Sequence, residues 1–228
     1  MKYKTLLFDA DGTLFDFAKC EEGALRETLE TFGINVTEDV VENYSIINES
    51  LWKMLERGEI EKRVLFYRRF ELLCEKYGFE RDALEMSKKY AATLSEQTFL
   101  LDGAEELCQK LSGVADMYIV TNGIDFVQKR RYAKSGFDKY FKGVFISGEI
   151  GYEKPAREFF ECVEKAIPDF ESQSALMIGD SLTADIKGGI NFGIDTCWYN
   201  PKNKQAPRDM DITHISPDFD DVYKFIVS

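Results

Sequence analysis

Two carboxylates one residue apart, Asp9 and Asp11, follow the apolar run Leu6-Leu7-Phe8 and are closed by Gly12. Like charges at the rim of an apolar segment are unfavourable unless a cation offsets them. Taken alone, the pair fits either a solvated Asp-x-Asp-Gly turn or a cation site. Polar residues follow apolar runs twice more: Thr121-Asn122 after residues 117–120, and Asp180 with Asp185 after residues 176–178. Lys154 lies in the loop beyond another apolar run, residues 144–146, ahead of Pro155. If these runs are strands of one parallel sheet, their polar ends share one edge, where open α/β sheets place their ligands. Four carboxylates, a hydroxyl, an amide and an ammonium group then meet in one crevice. Oxygen donors of this kind suit a hard cation such as Mg²⁺, and the cation explains how so many acidic groups coexist. Each residue singly has a plainer explanation: Thr121 and Asn122 end a strand, Lys154 is solvated, and Asp185 caps a helix.

The elements needed to hold these groups are legible in the pattern. The run ending at Phe8 reads as a buried parallel strand. From about Phe17 to Gln97, apolar residues recur at helical spacing in four blocks, the first three ending at Gly33, Gly58 and Gly78. Thr37 is placed to cap the second block. Beyond Phe99, helices are predicted over 103–111, 126–134, 155–167 (with Pro155 in the first turn), 182–191 and 219–226. Strands are predicted over 117–120, 144–146, 176–178 and 196–199, with a weak one at 212–215. Alternating strands and helices predict a parallel, doubly wound α/β sheet with helices on both faces, interrupted after its first strand by an all-helical insert.

Composition narrows the function classes. The 228 residues carry a formal net charge of −12, which repels nucleic acid and anionic membranes at long range. The five cysteines are dispersed and there is one histidine, His214, so neither a disulfide framework nor a thiolate zinc site is predicted, and His214 reads as structural. The first residues run into an apolar segment too short for a signal peptide. No stretch approaches the roughly 20 apolar residues that cross a bilayer. The expectation is a cytoplasmic protein with no membrane or nucleic-acid partner.

Four motifs, Asp9-Ala10-Asp11-Gly12-Thr13-Leu14, Thr121-Asn122-Gly123, Lys154-Pro155 and Gly179-Asp180-Ser181-Leu182-Thr183-Ala184-Asp185, resemble in order those of the haloacid dehalogenase (HAD) superfamily. The helical insert resembles its C1 cap. The resemblance implies a core of residues 1–16 and 98–228 and a cap of residues 17–97 that closes over the substrate. It implies Asp9 as nucleophile, becoming an aspartyl-phosphate, and Asp11 as acid and base. Thr121, the Asn122 backbone amide and Gly123 would bind phosphoryl oxygens, and Lys154 would neutralise charge and orient Asp9. Mg²⁺ would be held by Asp9, the Asp11 carbonyl and Asp180, with Asp185 acting directly or through water. Asp11 favours phosphate over carbon–halogen chemistry, because a halide leaving group needs no proton. Ile47-Asn48-Glu49-Ser50-Leu51-Trp52 and the stretch 188–200 resemble the branch containing bacterial pyrimidine 5′-nucleotidases. That branch implies a nucleoside monophosphate substrate, with Tyr44, Asn48 and Trp52, four residues apart on one helix face, meeting the base or packing the cap. The alternatives are a phosphatase or mutase for phosphoglycolate or a sugar phosphate, and a receiver-like interaction protein without turnover.

Overall fold

The computed structural model describes residues 2–228 and divides into two compact units. One holds the chain up to Asp16 together with Phe99–Ser228; the other is Phe17–Thr98.

The first unit is built on six parallel strands, β1 (Thr5–Phe8), β2 (Asp116–Thr121), β3 (Gly143–Ile146), β4 (Ala175–Gly179), β5 (Asp195–Tyr199) and β6 (His214–Ser216). Their order is β3-β2-β1-β4-β5-β6. Phe8 pairs with Ile119 on one side and Ile178 on the other. Asp9 therefore leaves the sheet level with the ends of β2 and β4, at the point where the strand order reverses. Strand pleating sends alternate residues to opposite faces. Leu6, Phe8, Met117, Ile119, Leu176 and Ile178 enter one apolar core, whereas Leu7, Tyr118, Val120 and Met177 enter another.

The second unit consists of α1 (Phe17–Thr31), α2 (Glu38–Glu56), α3 (Lys62–Tyr77) and α4 (Ala83–Leu94). Thr37 caps α2, its side chain accepting from the Val40 amide, and Gly78 ends α3 in the left-handed region with φ 69°. Returning to the first unit, the remaining helices are α5 (Ala104–Leu111), α6 (Asp125–Ser135), α7 (Ser147–Ile150), α8 (Arg157–Ala166), α9 (Lys187–Phe192) and α10 (Phe219–Val227). Helices α5 and α10 cover the first core, and α8 and α9 cover the second.

Two segments beside the polar strand ends differ from the sequence reading. Pro155 is outside its helix, which starts at Arg157. The backbone of Lys154 is engaged at both its N–H and its carbonyl by the Asn122 side chain, so this stretch is fixed by a distant strand end instead of by helix bonds. The segment after β4 opens as a π-turn, Leu182–Ile186, before α9. The Ser181 hydroxyl accepts from the Ala184 amide, and the Ser181 carbonyl accepts from both Asp185 and Ile186. Such wide turns concentrate at functional sites. His214 bonds Asp221 at 2.7 Å and stacks on Phe225 at 4.0 Å, a structural role.

Candidate active site

The edge of β2-β1-β4 gathers residues of all four motifs. The Asp9 amide donates to the Ile178 carbonyl at 2.9 Å, so sheet bonding continues one residue past β1 and delivers the carboxylate at the rim. The Leu14 and Phe15 amides both donate to the Ala10 carbonyl at 2.9 Å, closing a tight turn. Gly12 sits in that turn with φ 88°, and a Cβ there would lie 2.6 Å from Asp180 Oδ2. Only glycine meets both the backbone and the space requirement. The Thr13 hydroxyl accepts from the Asp180 amide at 3.1 Å and lies 3.4 Å from Asp9 Oδ2, tying the first and last motifs together.

Lys154 is 1% exposed and donates at 2.7 Å to each of three oxygens, Asp9 Oδ1, Asp185 Oδ1 and the Val120 carbonyl. Its three ammonium protons therefore match three acceptors. Asn122 sets the height of this lysine: its side-chain nitrogen donates to the Lys154 carbonyl and its oxygen accepts from the Lys154 N–H, both at 2.8 Å. This use of the Asn122 side chain was not anticipated from the sequence. Asp185 also accepts from the Ser181 amide at 3.0 Å. A Cβ on Gly179 would fall 2.2 Å from its carboxylate, so glycine at the end of β4 makes room for it.

Carboxylate oxygens of Asp9, Asp180 and Asp185 lie within 4.8 Å of one another. Burial first, then the charge of Asp185, raises the Asp9 carboxyl well above its ordinary range, against the opposing pull of Lys154. Asp180 stands at the mouth of the group, reached by solvent yet ringed by protein. Lost hydration and the Asp185 charge push it up to about 7. Burial alone would lower Lys154; Asp185 and Asp9 more than offset that and hold it above the ordinary lysine range. With all three carboxylates ionised, the single ammonium leaves two negative charges uncompensated. A divalent ion with a preference for oxygen donors balances that excess, so the residues fit Mg²⁺.

The expected cluster of four side-chain carboxylates is corrected to three. Asp11 is outside the group: its carboxylate accepts from Gln128 Nε2 at 2.5 Å and from the guanidinium of Arg131, which is fully buried. The turn at Gly12 directs the Asp11 side chain toward α6, where a buried cation offsets its charge. Thr121 is buried at the end of β2, with Asn122 and Gly123 following at the same edge. Trp198 is another residue with a role here, its indole N–H donating to the Asp180 carbonyl at 2.9 Å. It belongs to the distinctive stretch 188–200, whose packing against the last motif sequence spacing could not reveal.

In the helical unit, Tyr44 and Asn48 are interior. Tyr44 packs among Phe70 and Tyr90 at ring separations of 5.1 and 5.5 Å. Asn48 donates to Glu21 at 2.7 Å and accepts from the buried Arg69 at 3.3 Å. Trp52 is half-buried against Leu51, Leu55 and Leu65.

The family model for haloacid dehalogenase-like hydrolases matches residues 3–193. The HAD-hydrolase YfnB of Bacillus subtilis is 43% identical over 203 residues, 89% of this chain and 86% of its own. Its crystal structure, bound to magnesium, superimposes with a TM-score of 0.95 at 39% identity over 99% of both chains. The pyrimidine 5′-nucleotidase PynA of Streptococcus pneumoniae is 43% identical over 88% of this chain and 85% of its own. The pyrimidine 5′-nucleotidase YjjG of Escherichia coli is 31% identical over 91% of each. The chain belongs to the haloacid dehalogenase-like hydrolase family, and is a hydrolase with an α/β core.

The raised carboxyls make cation binding pH-dependent. The folded value of Asp180, about 7, lies above the unfolded value of about 3.9. The fold therefore disfavours its ionised form, and the metal-free protein is expected to lose stability from this group as the pH rises from about 4 through 7. Thermal unfolding of the wild type against Asp180→Asn across that window isolates the effect: the advantage of the variant should grow with pH. Because protons compete with the ion, apparent Mg²⁺ affinity should weaken by up to about tenfold per pH unit below 7. Affinity that is flat from pH 5 to 8 would contradict the assignment of Asp180 as a ligand.

Proposed function

We propose that the chain is a Mg²⁺-dependent phosphomonoesterase that hydrolyses pyrimidine nucleoside 5′-monophosphates through an aspartyl-phosphate on Asp9. The observation that carries the reaction type is the buried Asp9 carboxylate, held by Lys154 at 2.7 Å within a three-carboxylate group at the sheet's switch point. The likeness to PynA and YjjG supports the substrate class.

Asp9 and Asp180 would hold the ion, with Asp185 acting directly or through water. The chemistry it supplies when bound is charge neutralisation between an anionic ester and an anionic nucleophile. Asp9 forms a bond to phosphorus as the ester P–O bond breaks; Asp11, an ion-paired carboxylate in the free site, takes up a proton from solvent as substrate binds and gives it to the departing oxygen. Asp11 then takes a proton from the water that attacks the aspartyl-phosphate, releasing inorganic phosphate and restoring Asp9. Thr121 and the backbone amides beyond it receive phosphoryl oxygens, and Lys154 keeps Asp9 aimed. The helical unit, Phe17–Thr98, is assigned the selection of the leaving group; Tyr44 and Asn48, expected to meet the base, instead pack its interior, which leaves only the half-buried Trp52 of the three as a candidate for that role. Five free cysteines fit a reducing compartment, the cytoplasm. No helix among the described residues is long and apolar enough to cross a membrane.

A panel of nucleoside monophosphates, sugar phosphates and phosphoglycolate, with p-nitrophenyl phosphate as a generic ester, tests the reading. Highest kcat/KM on dUMP, UMP or dTMP is the expected outcome. A preference for phosphoglycolate or a sugar phosphate would overturn the substrate class. Stable phosphorylation without turnover would indicate the receiver-like alternative.

A further inference from the structure

We propose that Gln128 is a positioning residue of the phosphoryl site, its carboxamide fixing the direction of the Thr121 hydroxyl proton and the seat of the Asp11 carboxylate. This rests on the reading of Thr121 as a phosphoryl ligand. Gln128 lies on α6, outside the four motifs, and is 3% exposed. Its Nε2 donates to Asp11 Oδ2 at 2.5 Å and to Thr121 Oγ1 at 3.3 Å. A primary amide has two N–H donors, so one carboxamide serves both partners. The opposite orientation is disfavoured, because Oε1 accepts from Arg131 Nη1 at 3.5 Å and would otherwise face the Asp11 carboxylate.

The consequence falls on Thr121. A hydroxyl has two acceptor sites and one proton. Thr121 Oγ1 already accepts from the Gly123 amide at 3.0 Å and from Gln128. With both acceptor sites used, its proton is directed away from these two neighbours and is left for a third partner, the phosphoryl oxygen of the proposed reading. A pre-aimed donor needs no reorientation when charge develops.

Gly123 gives independent support. A Cβ at this position would lie 2.0 Å from Gln128 Nε2 and 2.5 Å from its Cγ. Gly123 is not among the glycines with positive φ, so its backbone suits alanine. What glycine provides at the end of Thr121-Asn122-Gly123 is the room that the Gln128 carboxamide occupies. Gly123→Ala therefore displaces that carboxamide without altering its chemistry.

The test measures affinity of the Mg²⁺-loaded 228-residue chain for inorganic phosphate by calorimetry, in Gln128→Leu, Gly123→Ala, Thr121→Val and the Gln128→Leu/Thr121→Val double variant. Loss of the pre-aimed donor should weaken phosphate binding about tenfold in each of the first two, on the scale of a partly lost hydrogen bond to a charged group. In the Thr121→Val background, Gln128→Leu should cost nothing further. A purely structural glutamine would lower the thermal midpoint and weaken phosphate equally in both backgrounds, which would overturn the proposal. So would unchanged phosphate affinity in Gly123→Ala and Gln128→Leu. Turnover of p-nitrophenyl phosphate by the wild type reports separately on the phosphatase reading: its absence, with the Thr121–Gln128 coupling intact, would remove that reading and leave Gln128 as a phosphate-positioning residue.

Discussion

Asp9→Asn should abolish turnover, by about 10⁴-fold or more, while leaving a folded protein. The amide has nearly the same size as the carboxylate but is a poor nucleophile. The site tolerates the loss of charge because it already opposes ionisation: Asp9 is 8% exposed, and burial and Asp185 both raise its carboxyl. Removing the charge forfeits the pairing with Lys154 but relieves repulsion from Asp185 and Asp180. Circular dichroism and the thermal midpoint should stay close to those of the wild type. Steady-state kinetics with saturating Mg²⁺ checks the loss, and near-normal rates would refute the nucleophile assignment.

Lys154→Met should damage both stability and activity. The ammonium satisfies Asp9, Asp185 and the Val120 carbonyl at once, from a position 1% exposed. A thioether of similar length fills the space and leaves two buried carboxylates facing each other. Breaking a buried pair by removing one partner costs about 3–5 kcal/mol. Denaturant unfolding of the metal-free variant at pH 7 should show a loss of that order, shrinking toward pH 5 as a carboxyl takes up a proton, and shrinking also with Mg²⁺. The sign follows from Asp9 having its carboxyl raised: protonation removes the repulsion the lysine had offset. Turnover should fall by at least about 10²-fold, the scale of a deleted charge-stabilising donor. Wild-type stability at pH 7 would contradict the central place given to Lys154.

The strand runs, the helical insert and the three polar strand ends were legible because buried parallel strands are continuous apolar segments and because Asp, Thr-Asn and Asp interrupt them at matching positions. What escaped was set by packing between distant segments. Gln128 and Arg131 lie three apart in the polar run Asp125-Phe126-Val127-Gln128-Lys129-Arg130-Arg131, which has the composition of a solvated helix face. They are nevertheless almost completely buried, because Asp11 across the sheet edge demands donors. The missing signal was a charge balance: Asp11 needed a cation, and Arg131 is the one provided. Pro155 suggested a helix start by local rule, but the Asn122 side chain claims the backbone of Lys154 and delays the helix to Arg157. Tyr44, Asn48 and Trp52 share a helical face as spacing required. Their depth depended on partners such as Glu21 and Arg69, which polar composition alone would place at a surface.

The most direct test is to acid-quench the enzyme during turnover, using Asp11→Asn to slow breakdown of the intermediate, and to map the modified peptide by mass spectrometry. A single phosphoryl group on Asp9, absent from Asp9→Asn, is the expected result. Turnover proceeding with no phosphoryl group on that peptide, or with the group on another residue, would contradict it.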